Sequence, residues 1–327
     1  MNKPTVNLTD RTESSVQNGS GRRTMILSAF LMGTLAIARG SSFLMSKQLL
    51  ETMGPLTLLG IRFLIAFFLL FLIFLKKVLA AIRQDPRILA AALLLGTTYY
   101  LCMAAELFGL RMTTAATCSF LENSAIVMVP ICEAFLLRRL PSPIIAGSAG
   151  ITLAGIGLIV FRDGSSLHLG SGELLCILAA LLFTAALIQT DRLSKRHDPF
   201  ALGILYVGVI GLFGMLSAFA AETPQLPRGG MQWSCILVLS LVCTCLGFTM
   251  QPVAQKHLRT ETAGLIVALN PLTTAVLGWL LLHESLGIRG IFGAVLIITG
   301  ILLPNLLPLK PSAPAKMTCF PASKSLY

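Results

Sequence analysis

The chain has 327 residues, of which 55% are hydrophobic and only 12% are charged, and its mean hydropathy is +0.82. Ordinary soluble domains are about 45–50% apolar and about 25% charged, so this composition excludes a soluble domain and predicts a membrane protein. The formal net charge of +11 could indicate nucleic acid, but most of the cations fall on one side of the apolar stretches, so we expect no nucleic-acid partner.

Apolar stretches of the length that crosses a bilayer as a helix, about 20 residues, follow one another along the chain. The ten predicted spans are 25–45, 54–75, 88–110, 113–137, 143–161, 171–190, 199–221, 233–254, 261–283 and 287–307. Nothing alternates with period two, and unpaired backbone groups facing lipid are too costly, so the spans are helices rather than strands. We therefore expect an all-α integral membrane protein.

The two ends of the chain are polar. We predict disordered tails over 1–24 and over 308–327, and no cleaved leader, because the first apolar span is too long for one. The positive-inside rule places both tails in the cytoplasm of a multi-pass protein of the cell membrane, since most of the 25 lysines and arginines then lie inside. Apart from the spans, the opposite side receives only Lys47, Arg111, Arg162, Arg228 and Arg289.

The second half of the chain matches the first at an offset of about 145 residues. Pro55 in "MGPLTLLGIRF" aligns with Pro199 in "HDPFALGILYV", and "GSAGITLAGIG" aligns with "GAVLIITGILL". These matches predict two five-helix repeats, 25–161 and 171–307. Because five is odd, the second copy must enter the membrane from the opposite face, and such inverted repeats are typical of alternating-access transporters.

Several segments share their order and spacing with a known family. They include "ARGSSFLMSK", "PLTLLGIRFLIAF", "GLRMTTAATCSFLENSAIVMVPICEAFLLRRLP" and "MQPVAQKHLRTETAGLIVALNPLTTAVLGWLLLHESL". In these segments the chain resembles the drug/metabolite transporter superfamily, specifically its EamA-type ten-helix members. The resemblance implies translocation of amino acids, small metabolites or drug-like compounds without ATP hydrolysis by the chain. The chain departs from the family pattern at Arg39, where Trp is usual, and at Asn270, where many members have Glu.

Charged side chains within the spans are the main candidates for a transport site, because such charges usually face a bundle interior or an aqueous cavity. Arg39, Arg62 and Glu122 lie at similar depth, roughly 9–14 Å from the outer span ends at about 1.5 Å per residue, so they could meet. We expect the arginines to bind an anionic group, and Glu122 to bind the coupling proton or an ammonium group.

Each of these charges also has a structural alternative. Arg39 could extend to the outer headgroups, Arg62 could only tie helices together, and Glu122 could only form an ion pair that fixes packing. These alternatives stay open at the level of the sequence.

Further polar and aromatic side chains complete the candidate site. Glu106 and Gln251 occupy equivalent places in the two repeats and could mark the two mouths of one pathway, or only hydrogen-bond between helices. Tyr99 and Tyr100 could stack on a substrate or merely fill the bundle. Asn270 is added because it stands where many family members carry Glu.

Two prolines and several glycines bear on movement and packing. Pro130 and Pro271 interrupt the helical hydrogen-bond ladder and predict bends or free carbonyls used in gating, with a static kink as the alternative. Glycines in the fifth and tenth spans permit close helix contact, within the chain or at a homodimer face.

Catalytic signatures are missing from the sequence. It contains no readable Ser/His/Asp grouping, no HExxH, no GxSxG and no phosphate-binding loop, so we expect no enzyme, cofactor or metal. The expected partners are a small-molecule substrate and membrane lipid. Two rival functions stay open, namely a non-transporting membrane interaction protein and a flippase for lipid or lipid-linked sugar, which would need a polar cleft open sideways to lipid.

Overall fold

The computed structural model describes residues 8–136, 143–160, 170–247, 269–284 and 287–306. Among these residues all regular structure is helical, which confirms the all-α prediction. Large apolar side chains on the outer surface, such as Phe30, Leu72, Phe219 and Ile288, are more than half exposed. This is the surface expected of helices that are surrounded by lipid.

The first repeat contains seven helical segments among the described residues: α1 Leu8–Leu49, α2 Pro55–Ile73, α3 Leu75–Gln84, α4 Ile88–Met112, α5 Ala115–Asn123, α6 Ala125–Leu136 and α7 Pro143–Val160. The described part of the second repeat contains α8 Ser171–Ser194, α9 Pro199–Ala221, α10 Gly230–Val238, a π-helix π1 Leu239–Leu246, α11 Leu269–Leu282 and α12 Gly287–Leu306.

Five helical segments of the described chain are long and apolar enough to cross a membrane by length and composition: Ile26–Leu49, Pro55–Ile73, Ile88–Met112, Ser171–Ser194 and Pro199–Ala221. Shorter apolar helices follow at Ala115–Val129, Pro143–Ile159, Gly230–Leu246, Leu269–Leu282 and Gly287–Leu303. Each of these segments falls within one of the ten predicted spans or overlaps it by most of its length.

The structure differs from the predicted elements at three places. Helix α1 begins at Leu8, within the stretch expected to be a disordered tail, because extending an existing helix avoids the cost of nucleation. Helix α3 occupies the segment expected to be a loop between the second and third spans. The fourth span is interrupted at Ser124 rather than at Pro130, through which α6 runs unbroken.

Local hydrogen bonds explain the interruption at Ser124. The Ser124 hydroxyl donates to Leu121 O at 2.6 Å, and the Asn123 amide donates to Ser119 O at 2.7 Å. Short polar side chains that bond nearby backbone in this way compete with the regular helical ladder. The chain therefore changes from α5 to α6 at this polar pair.

Two pairs of helices that the repeat makes equivalent pack against each other, α2 against α9 and α7 against α12, and α5 of the fourth span packs against α11 of the equivalent ninth span. Glycines allow two of these crossings. A Cβ atom added to Gly60 would lie 2.7 Å from Met215 N, and one added to Gly214 would lie 2.8 Å from Gly60 N. Gly155 and Gly293 approach each other in the same reciprocal way between α7 and α12. The two repeats thus meet along a pseudo-twofold axis.

Hydrogen bonds at one end of the bundle establish that the repeats are inverted. Lys47, in the last turn of α1, donates to Leu110 O at 2.7 Å and also to Thr113 O. The Thr113 hydroxyl donates to Glu173, in the first turn of α8, at 2.7 Å. The first helix of one repeat therefore ends where the first helix of the other begins. We call this end the Lys47 face, and the opposite end, where Asp85 contacts His197, the His197 face.

Candidate functional site

Arg39 and Glu122 form an ion pair inside the bundle, as their similar predicted depth allowed. Arg39 Nη2 donates to Glu122 Oε1 at 3.2 Å, and the Glu122 side chain is 1% exposed. The Arg39 guanidinium also lies 5.0 Å from the centre of the Phe183 ring on α8. Arg39 is thus engaged with α5 and α8 rather than extended to the headgroups. The ion pair fixes the position of both charges.

Arg62 is held differently. Its Nε donates to the Thr244 hydroxyl of π1 at 2.8 Å, and its guanidinium carbon lies 5.4 Å from the centre of the Phe63 ring. Within the described part of the chain no carboxylate forms an ion pair with it. A guanidinium has five N–H donors, and Thr244 takes one of them. Arg62 therefore has free donors and no carboxylate partner among the described residues, whereas the charge of Arg39 is paired with Glu122.

A cavity lies between the helices that carry these charges. Its lining comes from α1, α2, α4 and π1, and thus from both repeats: Arg39, Ser42, Phe43, Arg62, Met103, Glu106 and Cys243. The open space is about 20 Å³, which is room for about one water molecule. An organic solute can enter only when the helices move apart.

Glu106 borders this cavity together with both arginines, whereas repeat symmetry had suggested that it marks a separate mouth with Gln251. Gln251 itself lies outside the described residues. The Oε2 atom of Glu106 is buried and has no hydrogen-bond partner in the described structure, and the same holds for Glu122 Oε2 and Asn270 Oδ1. Buried polar atoms without partners are rare in folded proteins, and each one calls for an explanation such as strain, a catalytic role, or a bound water or ion.

The π-helix supplies two site residues that were not predicted, Thr244 and Cys243. The Thr244 hydroxyl donates to Leu239 O at 3.0 Å, five residues back, and accepts from Arg62. A π-turn is wider than an α-turn and is frequent at functional sites, but the sequence "CTC" carries no signal for it. Ser42 could have been found, since it lies three residues after Arg39 and shares its helix face.

The two tyrosines have separate surroundings. Tyr99 stacks on Tyr206 with ring centres 5.2 Å apart and lies edge-on to Phe183 at 6.2 Å, so it supports the ring beneath Arg39. Tyr100 lies edge-on to Phe213 of α9 at 5.8 Å. Neither tyrosine lines the cavity in this conformation. Their contact with a substrate stays a prediction.

Asn270 joins the two repeats next to the ion pair. Its amide donates to Asn123 Oδ1 at 3.2 Å, and Thr274, one turn along α11, lies 3.0 Å from Gly40 O. A Cβ atom on Gly40 would lie 2.7 Å from Asn270 O, so the glycine after Arg39 allows α1 and α11 to touch. Asn270 contacts residues next to the ion pair and does not line the cavity.

The remaining predictions concern gating by two prolines, coupling by Glu122 and packing of glycines. Pro271 is buried in α11, and only the backbone of Pro130 is described, so their gating role stays a prediction, as does the coupling role of Glu122. Among the glycines expected to pack, Gly155 and Gly293 serve the α7–α12 contact inside the chain, whereas Gly147 has nothing within 4 Å of an added Cβ. The homodimer face also stays a prediction.

Opposite charges buried between two inverted helical repeats are the arrangement of a membrane transporter, which binds its solute near the repeat interface. The chain belongs to the EamA-like transporter family, whose model matches residues 26–161 and 170–306. This match confirms the resemblance inferred from the sequence motifs and accounts for the fold.

Individual relatives support the same class. The chain is 24% identical to an uncharacterized transporter of Archaeoglobus fulgidus over 276 residues, and the alignment covers 84% of each protein. It is 24% identical over 271 residues to the S-adenosylmethionine/S-adenosylhomocysteine transporter of Chlamydia trachomatis serovar L2, covering 79% of this chain and 83% of the relative. A solved crystal structure shares the fold with a TM-score of 0.60 at 17% identity, over 88% of this chain and 98% of the other.

Proposed function

We propose that this protein is a secondary transporter that carries a small organic solute with an anionic and a cationic group across the cell membrane by alternating access. The observation that carries the proposal is the convergence of Arg39, Arg62 and Glu106, from three helices, on one cavity between the repeats. Buried charges of both signs complement a solute that carries both signs itself. Family membership supports transport as the activity.

The solute class follows from the charges and from one relative. An α-amino acid group has a carboxylate, which the free donors of Arg62 can bind, and an ammonium, which can donate a hydrogen bond to a carboxyl oxygen of Glu106. S-adenosylmethionine and S-adenosylhomocysteine, after which the Chlamydia trachomatis relative is named, both contain this group. We therefore propose amino acids and their larger derivatives as the first solutes to test.

We further propose that the Lys47 face is outside the cell and that both termini are cytoplasmic. The orientation is supported by the excess of lysine and arginine in the segments assigned to the His197 side. The cavity of about 20 Å³ admits one water at most, so transport requires the helices to separate first on one face and then on the other.

The flippase alternative finds less support. A second cavity, of about 200 Å³, lies between α6 and α7. Its lining is apolar apart from Thr152: Val127, Met128, Ile131, Cys132, Ala149, Thr152, Leu153 and Ile156. Such a groove suits an acyl chain but offers no charged group for a lipid headgroup.

A thermal-shift screen of the purified protein tests the proposal. Amino acids, S-adenosylmethionine, nucleosides and cationic drugs are each added in excess, since a ligand at 100 times its Kd stabilises the folded state by about 2.7 kcal/mol. We expect a rise in Tm with an amino acid or derivative, and loss of that rise in Arg62→Gln. No shift with any compound, as for an inert scaffold, would count against transport through this cavity.

A further inference from the structure

Two buried carboxyl groups, Glu106 and Glu122, lie close to the cavity, and the structure holds them in different ways. Glu122 is bound by Arg39 at 3.2 Å. Glu106 forms no ion pair with any described residue, although it lines the same cavity as both arginines. A carboxyl group that exchanges protons during transport must reach water and must be able to exist without its charge.

Glu122 meets neither requirement in this structure. Its side chain is 1% exposed, and protonating it would remove the counter-charge of Arg39, whose side chain is 28% exposed and lies inside the bundle. Breaking an ion pair from one side within a protein is unfavourable, because the remaining charge has lost its partner. Glu122 is therefore expected to remain ionised while the solute site fills and empties.

Glu106 meets both requirements. It borders the open space that admits water and has no ion-pair partner among the described residues, and, like Glu122, it has a buried Oε2 atom with no described hydrogen-bond partner. An unpartnered buried carboxylate oxygen is costly, and a bound proton removes the charge that makes it so. Protonation of Glu106 leaves the Arg39–Glu122 pair intact.

The groups that face Glu106 come from every helix packed around it. Arg39 of α1, Arg62 of α2 and Glu122 of α5 act on it through their charges. Three thiols lie near it, namely Cys102 on α4 itself, Cys118 on α5, and Cys243 of π1, which lines the same cavity. With both carboxylates ionised, the two arginines are balanced; with Glu106 protonated, one positive charge is left over.

We propose that Glu106, and not Glu122, is the proton-carrying group, and that its protonation leaves the charge of Arg62 uncompensated, so that Arg62 binds the anionic group of the solute. The assignment rests on the transport function proposed above. The proton comes from water on one face, binds the Glu106 carboxylate, and leaves to water on the other face after the solute. Because proton and anionic group favour each other's binding, they travel in the same direction, so the transporter is a symporter.

Infrared pH-difference spectroscopy of the purified protein tests the proton site without any solute. We expect the carbonyl stretch of a buried carboxylic acid to titrate in the wild type, to disappear in Glu106→Gln and to persist in Glu122→Gln. If Glu122→Gln does not fold, the pair variant Arg39→Gln with Glu122→Gln replaces it. Loss of the band in Glu122→Gln but not in Glu106→Gln, or no titrating band, would overturn the assignment.

Uptake into liposomes tests the coupling, with radiolabelled S-adenosylmethionine and radiolabelled L-methionine as probes. The quantity compared is the ratio of uptake with an inward proton gradient to uptake without one. We expect a ratio above one in the wild type and a ratio of one in Glu106→Gln. A wild type that takes up neither probe contradicts the proposed solute class, while the infrared titration still decides the role of Glu106. A gradient response retained in Glu106→Gln contradicts the assignment itself.

Discussion

The two faces of the bundle hold the repeats together by different contacts. On the Lys47 face, Glu222 at the end of α9 accepts hydrogen bonds from Leu56 N at 3.0 Å and from Thr57 N at 2.9 Å, at the start of α2. Glu284, after α11, accepts from Ala115 N at 2.9 Å, at the start of α5. Both carboxylates therefore join the end of a second-repeat helix to the start of a first-repeat helix.

On the His197 face, the described residues make weaker cross-repeat contacts. Asp85 and His197 lie 2.6 Å apart, with the Asp85 side chain 39% exposed. At the opposite end of the α2–α9 pair from Glu222, Lys77 lies 4.3 Å from the centre of the Phe200 ring. Carboxylate caps on helix N-termini are stronger than a half-exposed ion pair or a surface cation–π contact. Opening the Lys47 face thus requires breaking the stronger set.

The largest effect on folding is expected where α2 crosses α9, because this contact joins the two repeats between the two faces. In Gly60→Leu the new Cβ atom would lie only 2.7 Å from the backbone nitrogen of Met215, and the rest of the leucine side chain would have no room. Overpacking costs about 1–3 kcal/mol even at side-chain contacts, and here the obstacle is backbone, so we expect loss of folded, monodisperse protein. Gly203→Ala on α9, with nothing within 4 Å of the added Cβ, is the control and should fold. Equal behaviour of the two variants would contradict the crossing.

Glu222→Ala should weaken the Lys47 face by about 1–2 kcal/mol, the usual cost of a lost helix cap. The amides of Leu56 and Thr57 lose their acceptor, so hydrogen exchange at the start of α2 should accelerate. Glu51→Ala on an exposed position of the same face serves as the control. Unchanged exchange at Leu56 and Thr57 would show that the carboxylate does not hold this face closed.

Asp85→Asn should cost less than Glu222→Ala, below about 1 kcal/mol, since the pair it breaks is partly exposed and screened by solvent. Thermal melts in detergent measure the difference. Asp191→Asn, which disturbs the exposed pair with Lys195, is the matched change on the same side of the bundle. A larger loss for Asp85→Asn than for Glu222→Ala would reverse the ranking of the two faces.

The smallest effect is expected for the dependence of Tm on pH that Glu284 causes. Partial burial raises the pKa of Glu284, while the hydrogen bond from Ala115 and the charge of Lys47 oppose the rise. Because the folded pKa lies above the ordinary value of about 4.3, Glu284 contributes stability at low pH that is lost as the pH rises through the folded pKa. Glu284→Gln should flatten Tm against pH by at most about 1–2 °C. The opposite slope would contradict the burial effect.

The repeat architecture was predictable because span length and an odd helix number constrain it. Similar depth indicated that Arg39 or Arg62 could meet Glu122, but only the structure shows that Arg39 is the partner. The surroundings of Glu106 were not, because repeat symmetry pairs it with Gln251 while the packing of α4 against α1 and α2 turns it to the arginines. Thr244 escaped detection because a π-helix departs from the period on which sequence patterns rely.

Solute counterflow in liposomes tests the central claim most directly, namely that the cavity between the repeats carries a solute from one face to the other. Liposomes are loaded with unlabelled L-methionine or S-adenosylmethionine, and entry of the labelled compound is followed. The wild type and Arg111→Gln, an exposed cation on α4 away from the cavity, should accumulate label, and Arg62→Gln should lose at least about tenfold, as expected when a charged binding contact is removed. Accumulation that is equal in Arg62→Gln and wild type would contradict the account.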